Sequence, residues 1–215
     1  MNEHRHITAQ NRSYDDRSSL PLTTVERKRP TREEAEAAVE LLISWAGDDP
    51  QREGLRDTPA RVVRSYKELF SGYAEDPRSF LERTFGEVAG YHELVFLKDI
   101  RVVSCCEHHM LPVTGKAHIG YLPNKRVVGI SKLSRVVEGF ARRLQIQERL
   151  VVEIANAIQD VLKPRGVGVV IEAEHSCMTL RGVSMPGAKM ICSHFVGEIQ
   201  TSPDKRAEFL RMTGL

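Results

Sequence analysis

The chain has 215 residues, of which 41% are hydrophobic and 28% are charged, and its formal net charge is +2. This composition is typical of a globular protein with a buried core, and so small a net charge gives no reason to expect binding to nucleic acid or to an anionic membrane. The sequence lacks an apolar run near the roughly 18 residues of a membrane span, and its first residues lack the apolar core of a secretory signal. We therefore expect a cytosolic (cytoplasmic) protein.

The cysteines indicate metal or catalytic chemistry. Four are present, at Cys105, Cys106, Cys177 and Cys192. Small disulfide scaffolds contain a higher density of cysteine, and in a reducing compartment cysteine beside histidine more often binds a metal or takes part in a reaction. We therefore expect free thiols.

The sequence divides into three parts. Residues 1–30 are polar and aperiodic and end in a charged run, which predicts a mobile N-terminal tail. Residues 31–90 show helical spacing of apolar residues, and we interpret them as an N-terminal helical segment. Residues 91–215 alternate between strand and helix patterns, and we expect the catalytic domain there.

Helix signals are clear in the N-terminal segment. Thr31 and Glu34 form a capping box at the start of a first helix, and Gly47 ends it. Pro59 lies at a first-turn position of a second helix. A short third helix is expected from Pro77 to Phe85.

The third part predicts an α+β fold, an antiparallel four-stranded sheet with two helices on one face. Apolar residues recur at every second position in the strands and at helical spacing between them. We expect oligomerisation to cover the second face of the sheet. The predicted elements are strands Leu94–Val103 and Thr114–Tyr121, an extension of that pairing at Arg126–Ile130, a helix that buries residues from Leu133 to Leu144, a helix Leu150–Leu162, strands Gly166–Glu174 and Ala188–Glu198, and a closing helix Pro203–Met212.

Two distant stretches contain the residues of a metal site. Cys106 and His109 are three residues apart and can bind one ion through a tight turn, and Cys177 is a third ligand far downstream. Three protein ligands leave one zinc position open for water, the catalytic pattern, and such a water has its pKa lowered from about 15.7 to roughly 7. The alternative is that the thiols are buried core residues and the histidines surface residues. A nucleobase-deaminase site is excluded, because no Pro-Cys-x-x-Cys follows Cys105-x-Glu107.

Two imidazoles remain for acid–base chemistry. With His109 assigned to the metal, His108 and His175 are candidates, since histidine titrates near pH 7. We interpret Cys105 and Cys192 as small packing residues.

An anion site is predicted at a helix start. Ser131 opens a helix directly after a strand, and Lys132 and Arg135 bring two cations to its N-terminus, which itself attracts anions. Arg181 follows the last proposed metal ligand by four residues. The alternative is ordinary helix capping. Glu148, near the start of the next helix, is either a helix-dipole acid or an acceptor for two N–H groups of a guanine edge.

Together, these residues resemble the GTP cyclohydrolase I family from about residue 31 to the C-terminus. The resemblance implies a tunnelling fold, in which antiparallel sheets of several subunits join into a barrel, and a homo-oligomer, a decamer of two pentamers with active sites at subunit interfaces. It implies the conversion of GTP and water to 7,8-dihydroneopterin triphosphate and formate, the entry to folate or other pterins. The matching motifs are Cys106-Glu107-His108-His109, Gly129-Ile130-Ser131-Lys132-Leu133-Ser134-Arg135, Gln147-Glu148-Arg149-Leu150 and His175-x-Cys177-Met178-x-x-Arg181-Gly182.

The resemblance also implies a role for each matching residue. The roles are zinc binding, proton transfer during ring opening at C8, assistance in the sugar rearrangement, and binding of the triphosphate and of guanine. The implied zinc ligands are Cys106, His109 and Cys177, and the implied proton-transfer residues are His108 and His175. The resemblance gives the sugar rearrangement to Ser131. It gives the triphosphate to Lys132, Arg135 and Arg181, and guanine to Glu148 with Gln147.

One residue and one stretch depart from the family pattern. Arg64, a further expected substrate-binding residue, stands where relatives often have Lys, which keeps the charge but changes the geometry. Residues 189–193, Lys-Met-Ile-Cys-Ser, replace a Thr-rich stretch, so the packing of the last strand is expected to differ.

Three other functions remain open on the sequence alone. The first is a related enzyme that stops after opening the purine ring or acts on another nucleotide, although Ser131 and His175 favour the full reaction. The second is a non-catalytic binding protein stabilised by zinc. The third is a tunnelling-fold reductase that uses a nucleophilic cysteine without a metal.

Overall fold

The N-terminal segment begins with two helices. The computed structural model describes residues 29–86 and 90–215, so most of the predicted tail lies outside the described residues. Helix α1 is Arg32–Trp45, and at its start the Thr31 hydroxyl accepts the Glu34 N–H (3.2 Å) while the Thr31 N–H donates to the Glu34 carboxylate (2.7 Å). Helix α2 is Thr58–Leu69, with its proline in the first turn.

The rest of this segment is less helical than predicted. Two 3₁₀ turns follow, at Ser71–Ala74 and Pro77–Leu81, and strand β1 is Thr84–Phe85. The helix predicted from Pro77 to Phe85 is therefore wrong in its second half. Asp76 caps the second turn, since its carboxylate accepts the Arg78 N–H (3.0 Å), and the chain leaves this turn to pair as a strand.

The remaining elements include every long strand and helix that the sequence predicts. The observed boundaries of these elements differ from the predicted ones by a few residues at most. The structure also contains short elements that the sequence did not predict. Together, the long and short elements are β2 Val95–Cys106, β3 Pro112–Leu122, β4 Val127–Val128, α3 Ile130–Ala141, β5 Leu144–Gln145, α4 Gln147–Leu162, β6 Gly166–His175, α5 Ser176–Thr179, β7 Lys189–Gly197, α6 Glu198–Thr201 and α7 Pro203–Thr213.

The main sheet has the order β5-β2-β3-β6-β7, in which β2, β3, β6 and β7 pair antiparallel and β5 pairs parallel to the end of β2. Helices α3 and α4 bury their apolar residues against one face. This is the α+β subunit that the tunnelling fold implies. The atypical last strand pairs with β6 along its whole length. Within the described ranges, no helix combines the length and apolar composition that crossing a bilayer requires.

Two local predictions are wrong. Arg126–Ile130 does not extend the β2–β3 pairing: Val127–Val128 pairs with Thr84–Phe85 in a separate two-stranded sheet. Both edges of β3 are already occupied by β2 and β6, so no edge of β3 is free for this segment. Leu144 is not part of α3 either, because that helix ends at Ala141 and Leu144 lies in β5.

The second face of the sheet is partly covered by the C-terminus. Phe209 of α7 lies over the paired glycines Gly120 and Gly168, where an added Cβ would come within 2.9 Å of its ring. The rings of Phe96 and Phe195 meet Phe209 edge-on, with centroids 5.1 and 5.5 Å away. The absence of side chains at the two glycines therefore makes the space that this aromatic ring fills.

The sheet register places two distant segments together. Val113 at the start of β3 pairs with His175 at the end of β6, so the turn after β2 lies beside the segment that follows β6. The start of α3 lies near the opposite end of β3, where the Val128 N–H donates to the Tyr121 hydroxyl (3.2 Å). The two ends of the sheet therefore carry different groups of predicted site residues.

A buried histidine lies on the second face, at an irregularity in β2. The β2–β3 register shifts between Leu97 and Ile100, and Asp99 within this bulge has a φ of +58°. Its N–H donates to Nδ1 of His118 (3.4 Å), which is 2% exposed, and its carboxylate pairs with Lys116 (2.9 Å). Nδ1 must therefore carry a lone pair in the folded protein.

Burial holds the pKa of His118 below its ordinary value of 6.5, and nearby Lys98 and Lys116 lower it further, whereas Asp99 and Glu172 raise it. Because the unfolded chain binds this proton more readily than the folded one, the stabilising contribution is complete above about pH 6.5 and is lost as the pH falls through the folded-state pKa.

We predict that His118→Gln makes the stability less dependent on pH. A glutamine oxygen can still accept the Asp99 N–H but takes up no proton, so the free energy of unfolding should fall less between about pH 7 and pH 5.5 than in the unaltered protein, by up to about 1.4 kcal/mol per pH unit. Urea denaturation at both pH values measures this difference. An identical pH dependence in the two proteins would contradict the assignment.

Candidate metal centre and active site

The first metal-binding stretch is the turn between β2 and β3. Cys106 is the last residue of β2; its N–H donates to Leu111 O (2.9 Å), and its carbonyl accepts the Met110 N–H (2.8 Å). Met110 has a φ of +54°, a left-handed conformation that is uncommon for a residue other than glycine. This tight turn brings His109 back over the Cys106 thiol, at 3.9 Å between Nδ1 and Sγ.

Helix α4 holds this turn through contacts that the sequence analysis missed. The Arg149 guanidinium donates to the Glu107 carboxylate, to Leu144 O (3.1 Å) and to Gln145 Oε1 (3.0 Å). The Glu107 N–H donates to Gln145 O (3.1 Å). Arg149 and Glu107 are 42 residues apart, so no local spacing indicated this contact.

The third predicted ligand joins the same group. Cys177 lies in α5, directly after β6, and its Sγ is 4.0 Å from Sγ of Cys106. One donor atom from each of Cys106, His109 and Cys177 lies within 4.8 Å of the others. A tetrahedral ion of zinc dimensions would set the S···S and S···N separations at about 3.8 and 3.6 Å, so small shifts would close the group on a metal. These three residues could hold a metal ion, as predicted.

His108 is close to the same thiol but outside this group. Its Nδ1 is 3.9 Å from Sγ of Cys106, a distance equal to that of His109. The set of mutually close donor atoms nevertheless includes His109, and the two rings stand nearly perpendicular with centroids 6.3 Å apart. The exposed His108 ring is therefore left for another role beside the metal group.

The surroundings of Cys177 favour a protonated thiol when no metal is bound. Burial raises its pKa, the adjacent Cys106 thiol raises it further, and Arg181 lowers it. Because thiolates are the ligands, metal binding must release protons and should strengthen as the pH rises. The positive charge of Arg181 therefore acts on the Cys177 thiol. All four cysteines are free; burial raises the pKa of Cys105 and of Cys192, as expected for packing thiols.

The second predicted acid–base residue is held by Gln147. Nε2 of His175 and Oε1 of Gln147 are 2.9 Å apart, and Nε2 of Gln147 donates to Ile171 O (2.9 Å) and Met190 O (3.0 Å). Burial lowers the pKa of His175, while the nearby Glu148 carboxylate raises it. Glu148 itself is exposed in the first turn of α4.

The predicted anion-binding residues lie elsewhere in the chain. Ser131, Lys132 and Arg135 are at the start of α3, near Tyr121, whereas the metal group is near Val113. Eight residues of strand separate these two ends, which corresponds to about 26 Å. The start of α3 and the metal group therefore lie near opposite ends of β3 within one chain.

Arg135 and Arg64 have different surroundings. The Arg135 guanidinium lies 5.9 Å from the centroid of the Phe80 ring, which restrains it beside the second 3₁₀ turn. Arg64 is exposed on α2, and within residues 29–86 and 90–215 it forms no ion pair. The structure does not place Arg64 beside the metal group.

Comparison with known proteins identifies the family. The family model described as GTP cyclohydrolase I matches residues 35–214. The chain belongs to the GTP cyclohydrolase I family. It is 52% identical over 203 residues to a GTP cyclohydrolase 1 of Brucella anthropi, covering 93% of this chain and 95% of the relative, and 50% identical over 202 residues to one of Brucella suis, covering 92% and 95%. The chain is therefore a hydrolase, and GTP is its substrate.

Solved structures show weaker likeness. An archaeosine synthase QueF-Like in the apo form has a TM-score of 0.39 and 18% identity, covering 48% of this chain and 93% of that one. A dihydroneopterin aldolase from Burkholderia thailendensis bound to guanine has a TM-score of 0.35 and 15% identity, covering 49% and 90%.

We predict that Cys177→Ser abolishes metal retention. A serine hydroxyl stays protonated near neutral pH and replaces a thiolate poorly, so the metal content should fall from about one ion per chain to a small fraction of that. Elemental analysis of the purified protein measures it. Cys192→Ser, in β7 and outside the metal group, is the matched control and should keep the full content. Metal loss in the control, or retention in Cys177→Ser, would contradict the site.

Proposed function

We propose that the chain opens the purine ring of GTP at C8 with water, releases formate, and rearranges the product to 7,8-dihydroneopterin triphosphate, the first step of folate or pterin biosynthesis. The observation that carries this proposal is the convergence of Cys106, His109 and Cys177 in a chain whose residues 35–214 match the GTP cyclohydrolase I family. In this proposal residues 91–215 form the catalytic domain and residues 31–90 an accessory helical segment.

We propose zinc as the metal. Two thiolates and one imidazole are a soft donor set that suits zinc, and three protein ligands leave the fourth position of a tetrahedral ion open. Bound there, zinc would supply a water of lowered pKa as the nucleophile for C8. The chain fixes this position through the β2–β3 turn, which Arg149 braces by its contact with Glu107.

Two histidines are proposed to move protons around the opened ring. His108 lies beside the Cys106 thiol without joining the metal group, and its exposed ring can reach a substrate. His175 is half-buried and bonded to Gln147, and its lowered pKa favours the neutral ring, which can accept a proton. One exposed and one half-buried imidazole can thus serve different steps.

Guanine recognition is proposed for Glu148. Its exposed carboxylate is close enough to raise the pKa of His175 and of Cys192. It can accept two N–H groups of a guanine edge, and the N-terminus of α4 stabilises its charge. Gln147, the other predicted reader of guanine, is buried and bonded within the chain.

The triphosphate clamp is proposed to come from a second copy of the chain. Lys132 and Arg135 belong to a helix that begins near Tyr121, and Tyr121 lies about 26 Å along β3 from Val113, the strand position next to the metal group. This strand length exceeds the reach of a triphosphate and one side chain. Arg181 is near the metal group of its own chain. An interface that brings the α3 start of one copy to the metal group of another would complete the clamp, with Ser131 beside the sugar. The decamer, the contribution of Arg64 and the cytoplasmic location remain predictions.

We predict that metal-loaded protein converts GTP to formate and to a product that becomes a fluorescent pterin on oxidation. His108→Ala should lower kcat on the order of 100-fold, because proton transfer is lost, whereas Arg135→Ala should mainly raise KM for GTP. Steady-state kinetics on both variants measures this division. No turnover by a metal-loaded oligomer would overturn the proposed function, and equal losses in kcat and KM for both variants would contradict the division of roles.

We predict that two inactive variants restore each other when co-expressed. Cys177→Ser removes the metal site, and the double variant Lys132→Ala with Arg135→Ala removes the clamp. If each site combines two copies, random mixing should regain about a quarter of full turnover, because half of the copies supply each intact part.

The matched control is co-expression of Cys177→Ser with Cys106→Ser. Both ligands lie in one chain, so mixed oligomers of these variants contain no intact metal group. Turnover should stay at the level of either variant alone. Restoration in this control, or none in the first mixture, would contradict a clamp supplied by a second copy.

A further inference from the structure

Gln147 has an unusual set of contacts for a residue expected to bind substrate. It is the first residue of α4, and only 4% of it is exposed. All of its hydrogen bonds in the described structure are to groups of the chain: Ile171 O, Met190 O and the His175 ring. A buried amide that gave up these partners for a ligand would lose its two hydrogen bonds to carbonyl oxygens and its bond to His175, at a cost of roughly 0.5–1.5 kcal/mol each.

The partners determine how the amide is oriented. Two of them are backbone carbonyl oxygens, 2.9 and 3.0 Å from Nε2, and carbonyl oxygens can only accept. The NH₂ group of Gln147 must face them, because the opposite orientation would put three oxygens together. Oε1 therefore faces Nε2 of His175, at 2.9 Å.

The orientation of the amide in turn determines the state of the ring. Oε1 can only accept, so Nε2 of His175 must carry the hydrogen of this bond. In a neutral imidazole the other nitrogen, Nδ1, then has the lone pair. We propose that Gln147 is a positioning residue, which holds the His175 ring in one orientation with the hydrogen on Nε2 and the lone pair on Nδ1.

This inference deepens the proposed function, on which its catalytic meaning rests. It assigns the proton-accepting atom of His175 as Nδ1 and leaves guanine recognition to Glu148. The alternative is that Gln147 reads the substrate directly, as the family resemblance suggested. The two assignments differ in which kinetic constant Gln147 controls.

A small cavity affects the choice of variant. It has a volume of about 10 Å³ for the centre of a water molecule, and its polar lining comes from Ser104, Gln145, Gln147 and His175. Ser104 Oγ has no hydrogen-bond partner there, so the cavity can take about one water molecule. Gln147→Ala would enlarge this space and admit water that could replace the lost bond to His175. Gln147→Met keeps the volume without any hydrogen-bonding group, and it is the better test.

The matched control is Gln159→Met in the same helix. Gln159 is partly buried and also donates to a backbone carbonyl, Pro164 O (3.2 Å), but it has no contact with His175. Loss of a glutamine hydrogen bond in α4 is therefore common to both variants, whereas loss of the bond to His175 is specific to Gln147→Met.

The kinetic test compares kcat and KM for GTP. Gln147→Met should lower kcat by about 10-fold to 100-fold and change KM by less than about 3-fold, because the ring loses its orientation while the guanine contact remains. Gln159→Met should leave both constants within about 2-fold. A raised KM with unchanged kcat in Gln147→Met would overturn the proposal in favour of substrate reading.

A direct test needs no variant and no activity. Neutron diffraction from deuterium-exchanged crystals of the unaltered, metal-free full chain near neutral pH should show deuterium on Nε2 of His175, directed at Oε1 of Gln147. Deuterium on Nδ1 with none on Nε2 would overturn the proposal. This result decides the geometry even if Gln147→Met does not fold. Absence of GTP turnover by the unaltered metal-loaded protein would instead reject the proposed function and leave the Gln147–His175 geometry to the diffraction result.

Discussion

The candidate site depends on the register between β3 and β6. Val113 pairs with His175, so the turn after β2 and the segment after β6 leave the same end of the sheet side by side. Cys106 and Cys177, 71 residues apart, meet at 4.0 Å for this reason. A slip of one residue would turn the side chains of a strand to the opposite face, and it would also expose the apolar residues that α3 and α4 cover. The packing of the core and the position of the ligands are thus fixed by the same hydrogen bonds.

Features that depend on local spacing were predictable from the sequence, and features that depend on a distant partner were not. Thr31 and Glu34 are three residues apart, so the capping box could be identified without a structure. The two-residue strand Val127–Val128 was assigned to the wrong partner, because alternation shows that a segment is extended but not which strand edge is free. The contact between Arg149 and Glu107, 42 residues apart, gave no local signal and was missed. The ligands were predicted because their residue types are rare in combination, although their convergence is a long-range feature.

Gln147 and Glu148 show why a motif does not determine which side chain faces a substrate. Successive residues of a helix point about 100° apart, so one can enter the core while the next reaches solvent. Here Gln147 is 4% exposed and bonded to two strands, and Glu148 is exposed at the same helix start. One helix N-terminus thereby supplies a rigid support for His175 and a free carboxylate next to it.

Association of subunits is part of the proposed chemistry, because one chain keeps its metal group apart from the cations at the start of α3. The metal group and Arg181 lie at one end of the sheet, and Lys132 lies near the other end, so the proposed triphosphate clamp needs a second copy of the chain. The loop after α5 also exposes apolar side chains near the metal group. The exposed fraction is 76% for Leu180 and 69% for Val183. A second copy that brought its α3 start to this end would cover such side chains and supply cations at the same place. Burial of apolar area and assembly of the anion site would then favour the same arrangement of subunits.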